Sequence, residues 1–134
     1  MINILQLIRD DIMAYSPITD LVGDRVWAGR TDPVQGYNPT TDGAALVLSI
    51  RGGDSEYTGH LLTPSVQFQC YAATELEADE LYRVVFDRFH KEQNIESGRV
   101  MAASKIEQLG QNLEEPSVGW PFVLAFFVIT FRNY

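Results

Sequence analysis

The chain has 134 residues, 46% hydrophobic and 21% charged, which is the composition of one ordinary globular domain long enough to bury a core of its own. Ten Lys and Arg against eighteen Asp and Glu leave a net charge of -8. That balance argues against sequence-independent DNA binding and against adhesion to anionic membranes, because both rest on basic groups. The lone cysteine, Cys70, allows no intramolecular disulfide framework. Met1 to Asp11 lacks a basic leader and a small-residue cleavage site, so no signal peptide is expected. The longest apolar run, Phe122 to Ile129, is too short to span a bilayer as a helix. One domain over residues 1–134 is expected.

Residues 3–15 have the spacing of an amphipathic helix, with Ile4, Leu5, Ile8, Ile12 and Tyr15 on one face and Arg9, Asp10 and Asp11 opposite. Ser16 and Pro17 stop that helix and open a short second one, which Gly23 ends. A short strand is predicted over Arg25 to Ala28. From Gly29 to Gly43 the chain is rich in proline and small polar residues, which predicts a long loop.

Ala45 to Arg51 reads as a strand with Leu46, Leu48 and Ile50 on one face. Gly52 to Gly59 is turn chemistry, and Pro64 holds the next strand back to Ser65–Tyr71. There Val66, Phe68 and Cys70 alternate with Gln67, Gln69 and Tyr71. These two strands are expected to pair as a hairpin joined by a Gly-rich arm. Thr74 and Glu77 form a capping box for a helix running to about Gln93. Its core stripe is Ala78, Leu81, Val85 and Phe89, widened by Tyr82 and Phe86.

Glu96 to Gly98 turns the chain, residues 100–109 form a modest strand, and Gly110 to Gly119 is a loop with Glu114, Glu115 and Pro116 exposed. Trp120 to Phe131 is apolar on both parities, as in a central strand of a covered sheet or one buried by another subunit. The order contains no alternating βαβ series. It predicts an α+β fold, with a mainly antiparallel or mixed sheet of about 4–5 strands. One long and one or two shorter helices pack on one face.

No pattern of residues points to catalysis. The sequence has no Gly-x-Ser-x-Gly elbow, phosphate loop or dinucleotide fingerprint. His90 falls late on the long helix, His60 lies in the Gly-rich arm, and Cys70 shares the parity of Val66 and Phe68, as a buried thiol does. Asp10–Asp11 and Glu114–Glu115 are adjacent pairs that do not face a common site, and Asp54 to Glu56 lacks the ligands of a calcium loop. The chain is therefore expected not to be an enzyme and to need no cofactor or metal. Candidate interface residues are Trp27, Arg30, Tyr37, Arg51, Asp54, Glu56, Tyr57, His60 and Trp120, aromatic and charged groups in or beside the two arms.

Four segments carry a resemblance to the tail terminator (tail-completion) proteins of long-tailed bacteriophages and prophages. They are the helix followed by Ile18 to Trp27 (with Leu21-Val22-Gly23 and Arg25-Val26-Trp27), the strand Ala45 to Ile50, the strand-to-helix step Val66 to Ala78, and the apolar end Gly119 to Phe131. The resemblance spans nearly the whole chain in order and brings no catalytic motif. It implies a subunit of a ring, commonly of six, that caps the head-proximal end of the tail tube and stops its growth. It further implies partners in other copies of the chain, in the tail-tube protein and in the head-tail connector.

DNA would only pass through such a ring, without specific binding, and part of the -8 charge would face the channel. The implied location is the virion, with host cytoplasm during assembly and no membrane contact. Another head-tail neck protein (head-closure or connector) is the nearest alternative, and a monomeric ligand-binding module a more distant one.

Overall fold

The computed structural model describes residues 3–55, 59, 61–90, 92–97, 99–116 and 118–132. Helix α1 (Ile4–Met13) begins where the Asn3 side chain accepts a hydrogen bond from the Gln6 amide at 3.1 Å, which satisfies one of the unpaired first-turn donors. Helix α2 (Ser16–Val22) carries its proline in the first turn and ends at Gly23. The short strand β1 (Val26–Ala28) follows, as its sequence predicts.

The long loop after β1 contains one turn of helix, α3 (Pro39–Asp42), capped by the Asn38 side chain on the Thr40 amide at 2.9 Å. Then come β2 (Ala45–Ser55), β3 (Leu61–Tyr71), α4 (Glu75–Phe89), β4 (Glu92–Ser97), β5 (Arg99–Glu114) and β6 (Pro121–Arg132). The sheet has the order β1-β2-β3-β6-β5-β4. Only β1 and β2 run parallel; every other neighbouring pair is antiparallel. This is the expected α+β architecture with a mixed sheet. The strand lying outside the expected number is β4.

The departures from the sequence reading have local causes. The residues taken as a Gly-rich turn extend β2 instead, through a register break between Ile50 and Gly53. A Cβ on Gly53 would lie 2.4 Å from the Thr63 carbonyl oxygen, and its φ of 138° is a conformation that side-chained residues avoid. Pro64 does not delay β3, because it falls opposite Gly53 at that bulge and within a gap in the β3–β6 pairing. A proline there removes no ladder bond.

Helix α4 stops at Phe89 rather than near Gln93. The His90 backbone is extended, and the chain then leaves as β4 to pair with the start of β5. Residues 110–114, read as loop, belong to β5. Gly110 is there for close approach, since a Cβ would sit 2.7 Å from the Tyr82 ring, whose hydroxyl accepts from the Gly110 amide at 2.9 Å.

Helices α1, α2 and α4 pack on one face of the sheet. The core between the layers joins Ile8, Ile12 and Ile18 to Leu46, Leu48, Phe68, Phe127 and Phe131, all fully buried. Cys70 is in this core, and burial pushes its thiol well above the ordinary range. The expected stripe Ala78, Leu81, Val85 and Phe89 faces it too. Phe68 meets Phe127 edge-on at 5.1 Å and Phe89 at 5.3 Å.

The helices are tied together by Arg88, whose Nε donates to Asp11 Oδ2 at 2.9 Å and whose Nη2 donates to Oδ1. Asp11 is 3% exposed and the Arg88 side chain 23%, so the carboxylate lies beneath a partly exposed guanidinium rather than on the solvated helix face expected for it.

Candidate functional site

The helix-free face of the sheet has a different construction. By strand alternation it carries Trp27, Ala45, Val47, Ser49, Gln67, Gln69, Tyr71, Phe122, Leu124, Phe126 and Val128. One end is covered by the 29–43 loop, which folds back so that Tyr37 seals a second core with Ala45, Val47, Tyr71 and Phe122. Here Gln69 and Tyr71 are buried, although their alternation with Val66, Phe68 and Cys70 read as the polar side of the strand.

Three of the sequence-selected aromatics converge on this cap. The Trp27 and Tyr37 ring centroids lie 5.2 Å apart and those of Tyr37 and Trp120 5.5 Å apart, both edge-to-face. Tyr37 is buried and its hydroxyl donates to the Gly43 carbonyl at 2.6 Å, while both tryptophans stay half-exposed. The same loop is pinned by Arg30, whose Nε donates to the Asp32 carbonyl at 2.6 Å and whose Nη2 donates to that of Pro33 at 3.1 Å. Arg30 is exposed and acts here as a brace of its own loop.

Beyond the cap the face opens. Phe126, Leu124 and Val128 are half-buried, with no described helix over them. Arg51 lies 3.6 Å above the Phe126 ring, and its Nε donates to Ser65 Oγ at 3.0 Å. Asp54 is exposed near the end of β2, away from the aromatic cap. Glu56, Tyr57 and His60 lie outside the described residues.

Sequence reasoning missed Glu115, Tyr71 and Asp32. Glu115 is not the fully solvated turn residue expected. It is half-buried and accepts from the Tyr71 hydroxyl at 3.2 Å. Tyr71 in turn accepts from Gln69 Nε2 at 3.4 Å, leaving Gln69 Oε1 buried without a protein partner. Burial first, then Glu115 and its hydrogen bond, then the Asp32 charge, push the Tyr71 hydroxyl above its usual range. Tyr37 is raised as well, by burial against the opposing pull of Arg25 and with help from Asp42. Nothing local in the Glu114-Glu115-Pro116 turn signalled this contact, because its partner Tyr71 lies 44 residues away in sequence.

Beside the aromatic cap lies a cavity of about 510 Å³ reaching Arg25 and Thr41, and a smaller one of about 260 Å³ reaching Glu115 and Val118. Among the described residues no group of three His, Cys, Asp or Glu could hold a metal. The arrangement offers surface for protein contact: half-exposed rings and an open apolar strip, with Arg25, Asp42, Asp32 and Glu115 lining the cavities beside the rings.

The fold has a counterpart in a known assembly. A chain from a structure described as the virion of a native gene transfer agent (GTA) particle superposes with a TM-score of 0.62. The match covers 92% of this chain and 90% of that one, at 12% identity. At that identity the likeness is one of fold. The sequence matches no protein-family model, and no curated protein matches it.

Proposed function

We propose that this chain is a structural, non-catalytic subunit of a phage-like virion, acting as a tail terminator. In this reading, copies join into a ring, hexameric as the resemblance implies, that caps the head-proximal end of the tail tube and meets the connector. The observation that carries the reading is the match of nearly the whole fold to a chain of a virion particle. The ordered resemblance of four segments to tail terminators narrows it from virion protein to this role.

The two sides of the sheet suit such a subunit. Helices α1, α2 and α4 present exposed acids, among them Asp10, Asp20, Glu75, Glu77, Glu80 and Asp87, as a solvated layer. The helix-free side keeps Leu124, Phe126 and Val128 incompletely covered, which fits a face completed by a neighbouring copy.

Tubes assembled from a tail-tube protein of the same virion provide the test. Added protein should sit on one tube end and halt elongation. Tubes that lengthen unchanged would refute the role, and binding to the connector without binding to tubes would make the chain a neck protein instead.

A further inference from the structure

The cavities of about 510 Å³ and about 260 Å³ share Val34, Gly36 and Tyr37 in their linings, which makes them two parts of one groove. Each part adds one half-exposed tryptophan, Trp27 in the larger and Trp120 in the smaller. A row of three rings therefore crosses the groove, with Tyr37 in the middle. Centroid steps of 5.2 and 5.5 Å put the outer rings no more than about 11 Å apart, and a polyproline II helix turns once in about 9 Å. The middle ring is held in place, since the Tyr37 hydroxyl donates to the Gly43 carbonyl at 2.6 Å.

The polar groups of the groove offer donors. Arg25 Nε donates to the Ala44 carbonyl at 2.8 Å, whereas its two Nη groups and both indole N–H groups make no hydrogen bond among the described residues. A polyproline II segment has no internal hydrogen bonds, so its carbonyls are open acceptors, and its preformed backbone docks in aromatic-lined grooves at little entropic cost. Asp24 and Asp42 line the Arg25 cavity as well, so a neutral carbonyl suits that guanidinium better than an anion does. We propose that this groove binds a proline-rich polyproline II segment of another protein, with prolines three residues apart seated on the two tryptophans. The 134 residues hold six prolines and no two of them are three apart, so a second copy does not supply the segment. The inference is independent of the ring, and its failure would leave that reading standing.

Both tryptophans of the chain belong to the row, so intrinsic fluorescence reads the groove alone. The test titrates the protein with the acetylated and amidated peptide Ala-Pro-Pro-Leu-Pro-Pro-Ala, and with a counterpart carrying glycine at each proline. A saturable fluorescence change is expected with the proline peptide, and binding at least about tenfold weaker with the flexible glycine peptide. Trp27→Leu and Trp120→Leu should each weaken binding about tenfold, read from the tryptophan that remains. Thr41→Phe fills the larger cavity from an exposed position and should weaken binding as much with both rings in place. Circular dichroism checks the fold of each variant. No saturable change up to the solubility of the proline peptide would overturn the groove. Equal affinity for the glycine peptide, or undiminished binding in Thr41→Phe, would overturn it as well.

Discussion

Strand β6 meets two environments along the same twelve residues. Its Val123, Ala125, Phe127, Ile129 and Phe131 side chains point at the helices and are excluded from water. The intervening Leu124, Phe126 and Val128 point the other way and stay half-covered, although they are as apolar as their neighbours. The helix side is a close-packed layer of aliphatic and aromatic groups closed by a sunken ion pair. The other side mixes Ser49, Gln67 and Gln69 with those three residues and, among the described residues, is sealed where Tyr37 caps it. Stability therefore resides mainly on one side of the sheet, and the other is available for contacts.

Truncations that open the helix side should be the most costly. Phe127→Ala removes a ring packed between Phe68 and Phe89 and is expected to cost about 4 kcal/mol in urea unfolding. A cost below about 1 kcal/mol would mean that the helix-side core is looser than described. Arg88→Ala strands the buried Asp11 carboxylate and should cost about 3 kcal/mol, whereas Arg83→Ala, from an exposed pair on the same helix, should cost about 0.5 kcal/mol or less. Equal losses would show that the Asp11 pair is solvated.

A smaller effect sharpens the contrast from the capped end of the open side. Tyr71→Phe removes a hydroxyl bonded to Glu115 and Gln69 and should cost about 1 kcal/mol near neutral pH. Its effect should also depend on pH. Cys70, Tyr37 and Tyr71 hold their protons above their ordinary values of 9.0, 10.0 and 10.0, while the unfolded chain releases them there. The unfolded state then binds fewer protons than the native one, so the stability present below about pH 9 is lost as pH rises. Unfolding midpoints measured across the alkaline range should fall, and Tyr71→Phe should flatten the fall. A flat alkaline limb in the wild type would contradict the burial of these groups.

How much of this was legible in the sequence follows the same division. The helices and the helix-side core are written in spacing: Ile4, Ile8 and Ile12, then Ala78, Leu81, Val85 and Phe89, each repeat marking a buried stripe. The strand ends were not legible, because Gly52, Gly53, Pro64 and Gly110 read as punctuation. The structure uses them instead at a bulge and at a close approach of a tyrosine ring. Nor could local pattern reveal β4, whose partner is the strand that follows it.

At the candidate site, Trp27, Tyr37 and Trp120 stood out as aromatics beside loops, and they do meet. The hydrogen bond between Tyr71 and Glu115 was invisible because it joins two distant segments. Arg51 was selected with the aromatics but lies on the open strip, over Phe126.

The most direct test of the division between the two sides is native mass spectrometry of the wild type, Phe126→Glu and Leu76→Glu over a concentration series. Phe126 lies on the open sheet face, and Leu76 is 82% exposed on α4. A closed oligomer is expected for the wild type and for Leu76→Glu, with Phe126→Glu a folded monomer. A wild type that stays monomeric at every concentration, or an oligomer that Leu76→Glu dissolves and Phe126→Glu leaves intact, would contradict the assignment of the helix-free face as the side that assembles.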